Sequence, residues 1–203
     1  MQKIFHFDSP PEPYVSDAAV LCCFDERIRL AVNKFLRRQG ILRPDMIVVA
    51  GGAKTLASPR NDFERDFILE QVRMSMRLHQ TARVFLMSHS DCATYGGLEA
   101  FDGDRKREAE HHQHELQRAA ELVKANFPAL TVRCFFVGFD GIHGADAHEI
   151  GHLRKAREAV YFKGSTPTSI IGGTIRSGPA HNEGGRRISR SHIPRPSRPE
   201  YRT

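Results

Sequence analysis

The chain has 203 residues, of which 40% are hydrophobic and 27% are charged, and its formal net charge is +6. This length suits one domain of ordinary size with a tail, and the composition excludes a wholly disordered chain. No apolar run reaches the roughly eighteen residues that cross a bilayer, and the N-terminal residues lack the apolar stretch of a secretory signal. We therefore expect a soluble, cytoplasmic protein that has no membrane partner.

The basic charge is concentrated at the end of the chain. Residues 177–203 hold six arginines and two glutamates, so this segment carries +4 of the net +6. Because the rest of the chain is nearly neutral, we do not expect nucleic acid as a partner. The four cysteines are too few for a disulfide scaffold, and a cytosolic chain keeps them reduced, which makes metal binding the better explanation.

Strands and helices are predicted to alternate along the chain. The Pro-rich residues 1–16 predict an extended N-terminal arm. Apolar spacing then predicts a buried strand at 18–24, a helix at 26–39, a buried strand at 46–50, a helix at 61–78, a strand at 82–89, a helix at 104–127 and a strand at 130–139. A short helix near 147–160 follows, and the composition of 177–203 predicts a disordered tail.

The alternation predicts an α/β fold. We expect a single domain, residues 17–176, with a mainly parallel central sheet flanked by helices. In such sheets, ligands bind beyond the carboxyl ends of the strands, where the strand order reverses. Functional residues are therefore expected after Phe24, after Ala50 and after His89.

Cysteine and histidine follow two of these strands. Cys23 lies at the end of the first predicted strand, and the third ends in His89-Ser90-Asp91-Cys92. Thiolate and imidazole ligands together favour zinc in an intracellular protein. Three protein ligands leave one coordination position open, which is the arrangement of catalytic zinc. The sequence therefore predicts a Zn²⁺ site formed by Cys23, His89 and Cys92.

Asp25 and Arg27 follow Cys23 at alternate positions. The carboxylate can occupy the fourth zinc position, or Arg27 can hold it away so that it orients a zinc-bound hydroxide. Zinc with two thiolates and a neutral imidazole has no net charge, so it acidifies water less than a tri-histidine site does. We therefore expect any activity of the site to rise on the alkaline side.

These motifs resemble those of the β-class carbonic anhydrases. Cys-x-Asp-x-Arg and His-x-x-Cys each follow a buried strand, and VGFDGIHG at 137–144 resembles the fourth strand of that family and its following turn. The resemblance spans about Asp17 to Gly141. It implies Cys23, His89 and Cys92 as zinc ligands and Asp25 with Arg27 as the catalytic dyad. It also implies reversible hydration of carbon dioxide to bicarbonate, by a lyase that is a homodimer or a larger assembly.

Two departures from the family pattern keep other functions open. Members usually carry Arg-Asn-Ala-Gly after the second strand, where this chain has Val48-Val49-Ala50-Gly51-Gly52. They also have Gly after the second cysteine, where this chain has Ala93. The alternatives are hydrolysis of carbon disulfide or carbonyl sulfide at a similar site, or a closed zinc site with a binding role and no catalysis.

Other residues offer competing interpretations. His148-Glu149-Ile150-Gly151-His152 matches the His-Glu-x-x-His string of zinc metalloproteases, but glycines interrupt the helix that this string requires. We interpret it as a surface segment. The turn ending in Lys54 lacks the spacing of a nucleotide-binding loop. Three further histidines are expected on a solvated helix face and two further cysteines in the core: His111, His112, His114, Cys22 and Cys134.

Overall fold

A computed structural model describes residues 2–146 of the chain. The strands are β1 (Ala18–Cys22), β2 (Pro44–Val48), β3 (Arg83–His89), β4 (Thr131–Val137) and β5 (Ile142–Gly144). The helices are α1 (Glu26–Arg38), α2 (Lys54–Ala57), α3 (Asp62–His79) and α4 (Arg105–Asn126), and two short 3₁₀ turns, Ala93–Tyr95 and Leu98–Phe101, precede α4. The strands and helices predicted up to residue 139 are confirmed, with ends that differ by one or two residues. None of the described helices is long and apolar enough to cross a membrane.

The five strands form one sheet in the order β2-β1-β3-β4-β5. The first four are parallel, and β5 pairs with β4 in the antiparallel sense. The predicted α/β class with a mainly parallel sheet is confirmed. The chain passes from β1 to β2 on one side and then to β3 on the other, so the strand order reverses between β1 and β3. This reversal is where α/β sheets bind ligands.

Apolar side chains cover both faces of the sheet. On one face, Leu21 and Leu86 pack against Val72 of α3 and Leu116 of α4. On the other face, Val20 and Met87 lie in a second cluster with residues of α1. Because successive strand residues point to opposite faces, β1 is buried along its whole length and β3 from its second residue onward, as strands covered on both sides must be.

Polar side chains define the starts of the long helices. Asp25 caps α1 by accepting a hydrogen bond from the Arg27 N–H, and Asn61 caps α3 in the same way through the Glu64 N–H. Asp104 caps α4 through two backbone N–H groups. Asp25, the cap of α1, is also one of the predicted site residues. The same side chain therefore fixes the first turn of the helix and belongs to the candidate site.

The prediction that β2 is a buried strand is wrong. β2 is the edge strand of the described sheet, and its Met46 and Val48 side chains are 40% and 47% exposed. The apolar residues of α3 are not all buried either. Ile68 and Val72 are buried, whereas Phe63, Phe67 and Leu78 are largely exposed. An apolar run does not show whether its strand has neighbours on one side or on both, and this determines its burial.

The prediction that His112 lies on a solvated helix face is also wrong. His112 is fully buried, while His111 and His114 are exposed as predicted. Glu108, His112, Glu115 and Leu116 continue the spacing of three to four residues shown by Ala119 and Val123. The buried face of α4 therefore runs the length of the helix, and its N-terminal half is polar.

Several predictions fall outside the described residues or are not tested by them. Residues 2–16 contain no helix or strand, and Tyr14 donates a 2.8 Å hydrogen bond to Asp45. The helix expected at 147–160, the His148 motif, the domain end at 176 and the tail at 177–203 lie beyond the described part of the chain. The proposed division into arm, domain and tail stays a prediction.

Replacing His112 by leucine will reduce the loss of stability on acidification. Burial lowers the pKa of His112 to about 3, so protonation below the ordinary value of 6.5 favours the unfolded chain. The stabilisation from the neutral ring is complete above pH 6.5 and falls toward pH 3 by up to about 1.4 kcal/mol per unit. Urea unfolding at about pH 7.5 and about pH 5.5 should show a loss about 1 kcal/mol smaller in His112→Leu.

His114→Leu is the matched control, because His114 is exposed on the same helix. It should keep the pH dependence of the parent chain. Equal pH dependence in His112→Leu and in the parent would contradict the buried neutral histidine.

Candidate metal centre

Cys23 is the first residue after β1, at the carboxyl end of the sheet. Its side chain is buried, and its Sγ accepts a 3.4 Å hydrogen bond from the Gly51 N–H. Gly52, the next residue of the turn after β2, has a φ of +55°, and a Cβ there would be 2.6 Å from the Met87 carbonyl oxygen. Only glycine therefore allows that turn to come this close to the backbone at the ends of β1 and β3.

His89 and Cys92 lie at the end of β3 and in the turn that follows it. His89 is the last residue of the strand, and the backbone reverses at Asp91, which has a φ of +55°. One ligand atom each from Cys23, His89 and Cys92 lie within 4.8 Å of one another, and all three side chains are buried. The structure thus brings together the three residues that the sequence predicted as ligands. Around one tetrahedral zinc, two sulfurs at about 2.3 Å would lie about 3.8 Å apart.

The hydrogen bonding of His89 leaves one ring nitrogen available. Nδ1 donates to the Ser90 carbonyl oxygen at 2.9 Å, so in the neutral ring Nε2 carries the lone pair. Nε2 is buried and has no hydrogen-bond partner within the described region. Buried polar atoms without a partner are rare and call for an explanation. A metal ion bound by Nε2 and the two sulfurs would be the missing partner, so the residues present fit zinc.

The two sulfurs are coupled. A hydrogen bond between them raises the pKa of Cys23 and lowers that of Cys92. The pair thus loses its first proton easily and its second with difficulty. A divalent cation would replace the shared proton, and metal binding should release protons from this pair.

Asp25 and Arg27 form a closely packed ion pair beside these ligands. Arg27 Nε lies 3.0 Å from Asp25 Oδ1, and Arg27 Nη2 lies 2.6 Å from Asp25 Oδ2. The hydrogen bonds from Arg27 lower the pKa of Asp25 to about 2, so its carboxylate is ionised in all ordinary buffers. Asp25 Oδ2 is also 3.9 Å from His89 Nε2, which places the carboxylate at the edge of the candidate metal site.

Two carboxylates of the site were missed from the sequence. Asp91 accepts a 2.8 Å hydrogen bond from Arg27 Nη1, and the buried Glu108 of α4 accepts hydrogen bonds from the Ser90 hydroxyl and the Asp91 N–H. Asp91 lies inside the His-x-x-Cys motif, so its proximity could have been inferred. Glu108 could have been found only through the spacing of the buried face of α4.

The remaining candidates have structural partners. Lys54 Nζ donates to the Ser58 hydroxyl at 3.0 Å and lies over the Tyr95 ring, so it is not turned toward a phosphate site. Cys22 and Cys134 are buried in the two core clusters, as predicted.

Comparisons with known proteins match the part of the chain that holds this site. A family model described as "Putative carbonic anhydrase" matches residues 16–142. An uncharacterised protein of Rickettsia bellii is 24% identical over 126 residues, which cover 61% of this chain and 77% of that protein. The β-carbonic anhydrase isoform I of Trichomonas vaginalis aligns with a TM-score of 0.48 and 14% identity, over 69% of this chain and 87% of its own. An apo carbon disulfide hydrolase aligns with a TM-score of 0.42 and 11% identity, over 79% and 89%.

Replacing Cys23 by serine will abolish zinc binding, because one of three ligands is lost. The purified chain should contain one zinc per chain by elemental analysis, and Cys23→Ser close to none. Cys22→Ser is the matched control, since Cys22 is an adjacent buried cysteine outside the ligand cluster. Retention of zinc by Cys23→Ser, together with its loss on replacing His148, would instead locate the metal at the His148 motif.

Proposed function

The chain belongs to the carbonic anhydrase family that matches residues 16–142, and from this premise we propose that it is a zinc-dependent lyase that reversibly hydrates carbon dioxide to bicarbonate. The observation that carries the proposal is the arrangement around His89 Nε2. This buried nitrogen has no partner in the described region, lies with two cysteine sulfurs, and faces a carboxylate that an arginine holds in place.

Cys23, His89 and Cys92 would hold the metal. When bound, zinc supplies a Lewis acid that lowers the pKa of a coordinated water, so that a nucleophilic oxygen is available near neutral pH. The Ser90 carbonyl fixes the orientation of the His89 ring, and the Gly51 N–H stabilises the negative charge on Cys23. These contacts keep the ligands in position before the ion arrives.

Asp25 would orient the attacking oxygen. Its carboxylate is ionised, and Arg27 engages it through two nitrogens, so it can accept a hydrogen bond from a hydroxyl beside the metal position. That hydrogen bond directs an oxygen lone pair toward the carbon of carbon dioxide. A carbon–oxygen bond would then form as one carbon–oxygen π bond opens, bicarbonate would leave, and the water that replaces it would lose a proton to the solvent.

The surroundings of the dyad suit a small apolar substrate. Phe24 and Phe139 are both more than half exposed, and the Phe139 ring lies 5.3 Å from the Arg27 guanidinium carbon. Carbon dioxide, carbonyl sulfide and carbon disulfide are all small linear electrophiles with no net charge. The aromatic ring of Phe139 beside Arg27 and the exposed ring of Phe24 next to Cys23 therefore favour this substrate class over peptides or phosphate esters.

Carbon dioxide hydration will be faster at high pH. The metal with two thiolates and a neutral imidazole has no net charge. It therefore lowers the pKa of a bound water less than a site in which the metal keeps its full charge. Stopped-flow assays of zinc-loaded protein should give at least about threefold higher kcat at about pH 8.5 than at about pH 7. Asp25→Asn should lower kcat by about a hundredfold at both pH values, the usual effect of losing an oriented proton-accepting group.

Cys22→Ser serves as the control in these assays and should keep both the rate and its pH dependence. Zinc-loaded protein that does not accelerate hydration at either pH would overturn the anhydrase assignment. The same assays with carbonyl sulfide and carbon disulfide then decide whether a sulfur analogue is the substrate.

We also propose that the active form is a homodimer joined along the β2 edge. In the described sheet this edge has no further strand, and its exposed Met46 and Val48 lie beside Phe24 and a small cavity of about 210 Å³ that also reaches Cys23. An unprotected apolar strand edge favours association with another chain. A second copy would cover these side chains and enclose one side of the site.

Placing lysine on the β2 edge will separate the subunits, because two charges from each chain would have to be buried in the interface. Light scattering should give the mass of two chains for the parent and of one chain for the double variant Met46→Lys/Val48→Lys. Leu78→Lys, an exposed apolar position on α3, is the control and should remain dimeric. A dimeric double variant would exclude this edge as the interface.

A further inference from the structure

Arg27 is shared between two carboxylates. Nε and Nη2 bind Asp25, while Nη1 donates to Asp91 Oδ2 at 2.8 Å and Nη2 also donates to the Asp91 carbonyl oxygen at 3.0 Å. The guanidinium therefore lies between the dyad aspartate and the turn that carries two of the candidate ligands. Since Asp91 binds Arg27 through its side chain and its backbone, it fixes both the place and the plane of the guanidinium.

The turn that presents Asp91 is itself fixed. Asp91 Oδ1 accepts a 3.0 Å hydrogen bond from the Leu98 N–H, and Gly97 leaves room for it, because a Cβ there would be 2.9 Å from that oxygen. From the other side, Glu108 of α4 accepts hydrogen bonds of 2.6 Å from the Ser90 hydroxyl and the Asp91 N–H. Glu108 is 1% exposed, so this clamp is shielded from water and stronger than a surface contact.

The position of Asp25 depends on this clamp. Asp25 Oδ2 is 3.9 Å from His89 Nε2, so a small movement would bring it onto a metal held there. Arg27 opposes that movement only while its own guanidinium stays in place. The Asp25 and Arg27 side chains are one-fifth and nearly one-half exposed, and an ion pair this exposed does not hold its geometry unaided.

We propose that Asp91, held by Glu108, is a positioning residue that anchors Arg27 and thereby keeps Asp25 off the metal. The inference rests on the proposed function, because it concerns the fourth coordination position of the same centre. Loss of the Asp91 carboxylate frees the guanidinium and shifts Asp25 toward the metal. Asp25 then competes with water over a wider pH range.

The test uses the full chain substituted with cobalt(II), whose visible absorption reports the ligands of the metal. The spectrum should change with pH as water takes the metal position for which Asp25 competes. The pH midpoint of this change should move upward by about half a unit to one unit in Asp91→Asn, which is a three- to tenfold change in the population with Asp25 on the metal. Simple removal of a negative charge would move the midpoint downward instead, since a less negative site acidifies water more strongly. The direction of the shift therefore separates anchoring from a plain charge effect.

Two further variants complete the design. In an Asp25→Asn background, which keeps an acceptor for the α1 cap, Asp91→Asn should no longer raise the midpoint, because the anchoring acts only through Asp25 and only the downward charge effect is left. Asp102→Asn, which alters an exposed aspartate paired with Arg107, is the matched control and should behave as the parent chain. Glu108→Gln should shift the midpoint in the same direction as Asp91→Asn.

Each outcome separates this proposal from the function. A downward shift, no shift, or an upward shift that persists in the Asp25→Asn background would overturn the anchoring role, even if the parent hydrates carbon dioxide. An upward shift that depends on Asp25 supports it, even if carbon dioxide is not the substrate. A parent chain that binds no cobalt would overturn the metal centre, and both proposals with it.

Discussion

The candidate site depends on the parallel pairing of β1 with β3. Leu21 pairs with Leu86, and continuing that register brings Cys23 opposite Ser88, next to His89. Because the two strands run in the same direction, their carboxyl ends lie at one edge of the sheet, and the strand order reverses between them. Two ligands far apart in sequence thus become neighbours through backbone hydrogen bonds alone.

The electrostatics of the site centre on one arginine. Two carboxylates and a backbone carbonyl accept hydrogen bonds from Arg27, and the Phe139 ring lies against its guanidinium. Lysine could not replace it, because an ammonium has three donors and no rigid plane with which to bind two partners in fixed directions. The arginine sets the angle between Asp25 and Asp91, and its hydrogen bonds lower the pKa of both carboxyl groups.

The sequence revealed those parts of the fold and site that local patterns encode. Strand and helix positions follow from apolar spacing, and the Cys-x-Asp-x-Arg and His-x-x-Cys strings identify the side chains that the structure brings together. The exposed edge of β2 was missed, because burial there depends on the order of strands. Glu108 was missed because its partners, Ser90 and Asp91, lie about eighteen residues away and belong to a turn.

The buried N-terminal half of α4 carries polar side chains because they bind the segments that pack against it. Leucine at position 108 would pack well but would leave the Ser90 hydroxyl and the Asp91 N–H buried without acceptors. Glu115 similarly accepts hydrogen bonds from the Tyr95 and Ser58 hydroxyls, so the same helix fixes the segments after β3 and after α2. A buried carboxylate costs stability unless its hydrogen bonds are complete. The hydrogen bonds of Glu108 hold the turn after β3 in place. Through Asp91, this turn also positions Arg27 and Asp25.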